Sequence, residues 1–271
     1  SRELKVGGII NTGIISASNS NYSYGMQVDN SMIEGEGIIN RGIINASSKN
    51  SSYGIRLRES KSKIKGIVNS GIIYGKTYAI YRVDGTISGA SNYGILANGD
   101  SSKNVYSGMN LGSDLAENTL VNYGLIIKNG TIEKVGNYNQ PLTVSFGNEN
   151  REMTIENKES GSVTGNRTNH ILNGLTETYK AINGDNKVTD SIINAYQTAV
   201  AFDTAGGKLT LSGTAVNGGI DGTSAAISGS DDSSKTDTLV LENSVVNGNI
   251  DMKKGNDVLT IGNGTTINGT M

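Results

Sequence analysis

Cysteine and tryptophan are absent from this 271-residue chain, histidine and proline occur once each, and phenylalanine occurs twice. The lack of cysteine excludes a disulfide framework, a thiolate metal site and a cysteine nucleophile. With aromatics at only 5% of residues, a thick core built on large side chains is excluded as well. The 23 basic and 25 acidic residues leave a net charge of −2, which supplies no overall field to gather nucleic acid or an anionic membrane. No apolar run approaches the roughly 18 residues of a membrane-spanning helix, and Ser1-Arg2-Glu3-Leu4-Lys5 does not read as a signal peptide. Asn268-Gly269-Thr270-Met271 falls in mid-pattern, so the chain reads as a piece of something longer.

What is present is glycine, asparagine and isoleucine. The 37 glycines and 33 asparagines make up roughly a quarter of the chain, a turn-rich loading. Thirty isoleucines spread from end to end argue against disorder, which is poor in β-branched residues. These residues repeat. Ile9-Ile10-Asn11-Thr12-Gly13-Ile14-Ile15 returns as Ile38-Ile39-Asn40-Arg41-Gly42-Ile43-Ile44 and as Ile67-Val68-Asn69-Ser70-Gly71-Ile72-Ile73, at 29-residue spacing. Leu120-Val121-Asn122-Tyr123-Gly124-Leu125-Ile126 is a looser copy. Tyr24-Gly25-Met26, Tyr53-Gly54-Ile55, Tyr78-Ala79-Ile80 and Tyr93-Gly94-Ile95 accompany it. Past residue 205, Leu209-Thr210-Leu211, Leu239-Val240-Leu241 and Leu259-Thr260-Ile261 each lead to Asn-Gly, at 217–218, 247–248 and 268–269.

The period identifies the architecture. Apolar residues alternate at period two in short runs that end in Asn, Gly or Ser, which is strand spacing and not helix spacing. A fixed inner pattern with variable insertions is a solenoid, here a right-handed parallel β-helix with two or three strands in each coil of 20 to 30 residues. Roughly 9 to 13 coils are expected, with strands about 4.8 Å apart. In that geometry Ile9, Ile38 and Ile67 form one interior column and Ile15, Ile44 and Ile73 another. Asn11, Asn40, Asn69 and Asn122 form an amide ladder at a corner, satisfying turn groups that would otherwise be buried unpaired. Pro141 is expected in a loop or at a coil edge, because it would delete a ladder bond. Residues 1–271 read as a single β-helix segment whose coil style changes near 140–205, with loops at 98–117 and 229–237.

The search for catalytic constellations is mostly negative, and no cofactor or metal site is expected. His170 reads as an exposed loop histidine with no positioned nucleophile beside it. Gly71-Ile72-Ile73-Tyr74-Gly75-Lys76-Thr77 imitates a phosphate loop with one residue too few and no helix after it. Gly255-Asn256-Asp257-Val258-Leu259 resembles half of a calcium-binding nonapeptide but lacks stacked copies, and reads as a polar corner before an inward Leu. Asp231-Asp232 reads as a solvated loop. Two features suggest a binding surface. Ten of the twelve tyrosines precede residue 140, and Arg56, Arg58, Lys61, Lys63 and Lys65 are interrupted only by Glu59. Tyr and Arg are favoured recognition residues, so Tyr53, Arg56, Arg58, Lys61, Tyr78 and Tyr93 are the candidates. The recurrence of Tyr24 and Tyr53 at the coil period equally fits rings that simply stack at a corner.

The Ile-x-Asn-x-Gly-x-Ile coils, Leu239-Val240-Leu241-Glu242-Asn243 and Asn263-Gly264-Thr265-Thr266-Ile267-Asn268-Gly269-Thr270 resemble the passenger domains of autotransporters, closest to the large adhesins of Gram-negative anaerobes. The resemblance implies type V secretion, with display on the cell surface by an outer-membrane barrel outside this chain. It also implies a non-enzymatic adhesin that attaches to host cells or other bacteria through a glycan or protein receptor, or the rod that presents such a site. No nucleic-acid partner and no direct membrane insertion are expected. The family's protease branch carries Gly-Asp-Ser-Gly, whereas here Gly99-Asp100-Ser101 is followed by Ser102. A β-helix polysaccharide-cleaving enzyme is the alternative, and it would need clustered carboxylates along one face.

Overall fold

A computed structural model describes residues 4–129, 131–135, 151–154, 169–172, 179–181, 184–189, 191–195, 197–202 and 206–271. Among these residues there is no helix. Short strands stack in parallel on their equivalents one coil away, giving the parallel β-helix that the period-two repeat implies. The chain divides into two compact units, residues 1–137 and 138–271.

In the first unit each complete coil has four sides, one more than the repeat alone suggests. The first side stacks Leu4–Val6, Ser31–Ile33, Lys63–Ile64 and Thr86–Ile87. These strands are only two or three residues long, too short for their alternation to register. The second side stacks Ile9–Asn11, Ile38–Asn40, Ile67–Asn69, Ala90–Asn92 and Thr119–Asn122. The third stacks Ile14–Asn19, Ile43–Ser48, Ile72–Gly75, Ile95–Asn98 and Leu125–Lys128. The fourth stacks Tyr22–Asp29, Ser51–Arg58, Tyr78–Arg82 and Tyr106–Ser107. One strand departs from the parallel rule: Thr131–Val135 pairs antiparallel with Leu125–Lys128. Residues 98–117 include the short strands Tyr106–Ser107 and Asn110–Leu111, so they are not loop throughout.

Both predicted isoleucine columns are in register. Ile9, Ile38 and Ile67 align and continue through Ala90 to Leu120, and Ile15, Ile44 and Ile73 continue through Leu96 to Ile126. Burying each such isoleucine stabilises the fold by about 1.5–3 kcal/mol, and Ile38, Ile44, Ile67 and Ile73 are fully buried. The predicted amide ladder is present with one more rung. Asn11 Nδ2 donates to Asn40 Oδ1 at 2.8 Å, and Asn40, Asn69 and Asn92 each donate to the next Asn Oδ1 at 2.7 Å, ending at Asn122. The same Nδ2 groups donate to the corner carbonyls of Gly42, Gly71 and Gly94. Glycine two residues on is required by close approach: a Cβ on Gly42, Gly71, Gly94 or Gly124 would lie 2.0 Å from the carbonyl oxygen of the glycine one coil earlier.

The second unit uses three sides per coil. Gly184–Thr189, Gly207–Ser212, Thr238–Glu242 and Val258–Ile261 stack on one, and Ser191–Asn194, Ala215–Asn217, Val245–Asn247 and Thr266–Asn268 on the next. The third carries Tyr179–Ala181, Val200–Phe202, Ile227–Ser228 and Ile250–Asp251. Its core is the Leu209–Leu239 and Leu211–Leu241 rows with Val188, Val216 and Val246. A second amide ladder runs through Asn194, Asn217, Asn247 and Asn268 at 2.6–2.7 Å. Here each Nδ2 donates to the preceding coil, opposite to the first unit. His170 stands on strand Asn169–Leu172, where its backbone pairs with Ile192, and not in a loop. Pro141 and most of the span 140–205 lie outside the described residues.

Candidate functional site

The fourth side of the first unit carries the densest set of predicted binding residues. Gly25 and Gly54 let the chain close over the core, since a Cβ there would lie 2.5 and 2.6 Å from the Cγ2 atoms of Ile44 and Ile73. The residue before each glycine faces outward, and strict register places Tyr24, Tyr53 and Tyr78 one above another. The recurrence at the coil period therefore does stack rings. Tyr24 and Tyr53 lie 5.7 Å apart between centroids, and Tyr53 and Tyr78 6.0 Å, with planes within 13°. Tyr81, three residues on, closes the stack at 4.7 Å from Tyr53 and 4.9 Å from Tyr78. Strand spacing of about 4.8 Å is close to ring-stacking distance, so in-register tyrosines stack with little adjustment.

Arg56 lies against this stack. Its Cζ is 5.1 Å from the Tyr24 centroid and 5.5 Å from that of Tyr53, a cation–π arrangement. Its Nη1 donates to Gln27 Oε1 at 3.3 Å, and its Nε is buried with no hydrogen-bond partner. No carboxylate pairs with Arg56 among the described residues. The hydroxyls of Tyr24, Tyr53, Tyr78 and Tyr81 likewise have no partner there. Arg58 differs. It pairs with Asp29 one coil earlier and, through Nε, with Glu59 at 3.3 Å. The hydrogen bonds that Arg58 donates to Asp29, reinforced by that residue's charge, raise the Arg58 pKa above its ordinary value. Because the ring faces are turned toward each other and toward Arg56, the surface presents ring edges, hydroxyls and a guanidinium.

The predicted set is thus divided. Tyr53, Arg56 and Tyr78 come together, Arg58 is adjacent but held by two acids, and Lys61 is exposed in the turn after this strand. Tyr93 lies elsewhere, at the Asn-x-Gly corner, stacked on Tyr123 at 4.9 Å. Tyr24 and Tyr81 were not among the candidates and complete the stack.

Other sequence features settle into structural roles. Gly71–Thr77 is strand and corner: Lys76 Nζ donates to Lys49 O at 3.0 Å, and Thr77 Oγ1 accepts Ser52 N–H. Asp100 accepts both N–H and O–H of Ser102, which together hold its carboxyl below the usual range. Asp232 closes a similar turn with Ser234. Asp257 Oδ1 accepts Asp237 N–H at 2.9 Å, and buried Asp237 accepts Gly206 N–H and Ser230 N–H, so Gly255–Leu259 is indeed a polar corner before an inward Leu259. No group of three or more metal-ligating side chains is present among the described residues. No family model, curated protein or solved structure matches the chain.

Proposed function

We propose that this chain is a non-enzymatic adhesin segment, displayed on the surface of a Gram-negative bacterium, that attaches to host cells or other bacteria through a glycan or protein receptor. One observation carries this reading. The fourth side of the first unit presents four tyrosine hydroxyls without hydrogen-bond partners, and the Arg56 guanidinium without a carboxylate partner, among the described residues, on an in-register ladder. Rigid tyrosine and arginine side chains supply large contact area at low entropic cost, which makes them the residues of recognition surfaces. A polysaccharide-cleaving role is less well supported, because the acids nearest this ladder, Asp29 and Glu59, are both held by Arg58 and are not a free pair across a groove. The resemblance of the repeats to autotransporter passengers supports surface display anchored by a separate outer-membrane barrel.

The test is saturable attachment of the purified chain to host cells, compared with the Tyr53→Phe/Arg56→Gln double variant. Attachment reduced at least tenfold in the variant is expected. Equal attachment by both would remove the ladder from the site, and no attachment by the folded chain would leave it a spacer.

A further inference from the structure

We infer that the ligand of the Tyr–Arg ladder is an anionic polysaccharide, one bearing sulfate or carboxylate groups. This rests on the adhesion reading above and adds the chemistry of the receptor. The hydrogen-bonding groups that the ladder offers are the Arg56 guanidinium, which can only donate and has no carboxylate partner among the described residues, and the hydroxyls of Tyr24, Tyr53, Tyr78 and Tyr81, each of which can donate. Among the described residues the acids nearest the ladder are both engaged, Asp29 by Arg58 and Gln27 and Glu59 by Arg58. A neutral sugar would leave Arg56 with nothing charged to meet. A guanidinium and phenols converging on one oxyanion make charge-assisted hydrogen bonds, about twice as strong as neutral ones.

The field around the ladder agrees. Residues 53–65 carry five cations against the single Glu59, within a chain whose net charge is −2. Lys61, Lys63 and Lys65 are exposed and have no carboxylate partner among the described residues. Lys61 lies in the turn after the ladder strand and Lys63 on the next strand, so the basic segment runs from the fourth side onto the first and favours anions there. The tyrosine row is also linear: Tyr24, Tyr53 and Tyr78 follow one another at strand spacing of about 4.8 Å, which suits an extended polymer more than a compact epitope on a folded protein.

The probes are immobilised dextran sulfate, polygalacturonate and unmodified dextran, each against the whole chain. The variants are Arg56→Gln, Tyr53→Phe/Tyr81→Phe, and Lys208→Gln, the last an exposed lysine of the second unit with the same charge change. Urea midpoints report whether each variant stays folded. The inference predicts binding to dextran sulfate or polygalacturonate but not to dextran, weakened about tenfold by Arg56→Gln and at least threefold by the double tyrosine variant, with Lys208→Gln changing it less than twofold. Added salt should weaken it further. Equal binding to dextran overturns the inference. So does an equal response to Arg56→Gln and Lys208→Gln, which would be unspecific ion exchange. Host-cell attachment that needs Arg56 but is abolished by trypsin treatment of the cells, with no polysaccharide bound, overturns it in favour of a protein receptor and leaves the adhesion reading standing. Failure of both cell attachment and polysaccharide binding removes the two together.

Discussion

Replacing Asn69 by alanine tests how much the amide ladder stabilises the first unit. Asn69 is 1% exposed. It accepts from Asn40 Nδ2 and donates to Asn92 Oδ1, both at 2.7 Å, and it also reaches Gly71 O and Ile95 O at 3.2 Å. Alanine would leave Asn92 Oδ1 without its ladder donor and would deprive Asn40 Nδ2 of one of three acceptors, since Gly42 O and Ile72 O remain. Each orphaned buried group costs about 1–3 kcal/mol, and a break in the middle of a polarised chain of bonds adds to that. The expected loss is about 2–5 kcal/mol. Asn11 begins the described ladder, is 7% exposed and donates to only one ladder neighbour, so Asn11→Ala should cost about 1–2 kcal/mol. Urea unfolding followed by tyrosine emission reads the difference, because the chain has no tryptophan and nine of its twelve tyrosines lie in the first unit. A loss below about 1 kcal/mol for Asn69→Ala, or equal losses at both positions, would refute a ladder stabilised by rung-to-rung bonding.

Gly42→Ala should destabilise by about 3 kcal/mol or abolish folding, because its Cβ would lie 2.0 Å from Gly13 O. Gly13→Ala, with nothing within 4 Å, should stay within about 0.5 kcal/mol, and thermal unfolding of the pair checks both. Tyr53→Phe should leave stability within about 0.5 kcal/mol since its hydroxyl is free, whereas Tyr53→Ala loses three ring contacts and should cost at least about 1.5 kcal/mol in the same urea assay. For Asp221, burial opposes ionisation, but hydrogen bonds from Ser224 and Thr223 together hold its pKa below the ordinary value. A lowered folded-state pKa adds stability that is present above the unfolded value near 3.9 and is lost as pH falls through the folded one. Asp221→Asn should therefore flatten the stability profile between about pH 5 and pH 2, read from urea midpoints across that range.

Much of the fold was legible because the solenoid writes its geometry as a fixed spacing. Asn11, Asn40 and Asn69 recur every 29 residues, and the ladder follows. Asn92 escaped notice because its copy, Ala90-Ser91-Asn92-Tyr93-Gly94, replaces two apolar residues with small ones and comes 23 residues after Asn69. Asn194 was hidden because Ala195-Tyr196 follows it where Gly is expected. The candidate site was partly legible. Tyr53 and Tyr78 share a copy position, but Tyr81 joins the stack diagonally from the next outward row, which only packing reveals. Arg58 could have been excluded by the same spacing that found the ladder, since Asp29 stands one coil before it. Tyr93 shares the Tyr-Gly-Ile wording yet belongs to the Asn-x-Gly corner, where its outward direction is set by Asn92 and Gly94. Local wording there competed with register, and register decides which side of the coil a residue faces.

The most direct measurement is hydroxyl-radical footprinting of the chain while it is attached to host cells. The account predicts protection of Tyr24, Tyr53, Tyr78 and Tyr81 relative to the free chain, with Tyr93 and Tyr123 unchanged. Protection confined to Tyr93 and Tyr123, or no tyrosine protection in a chain that is demonstrably attached, would contradict it.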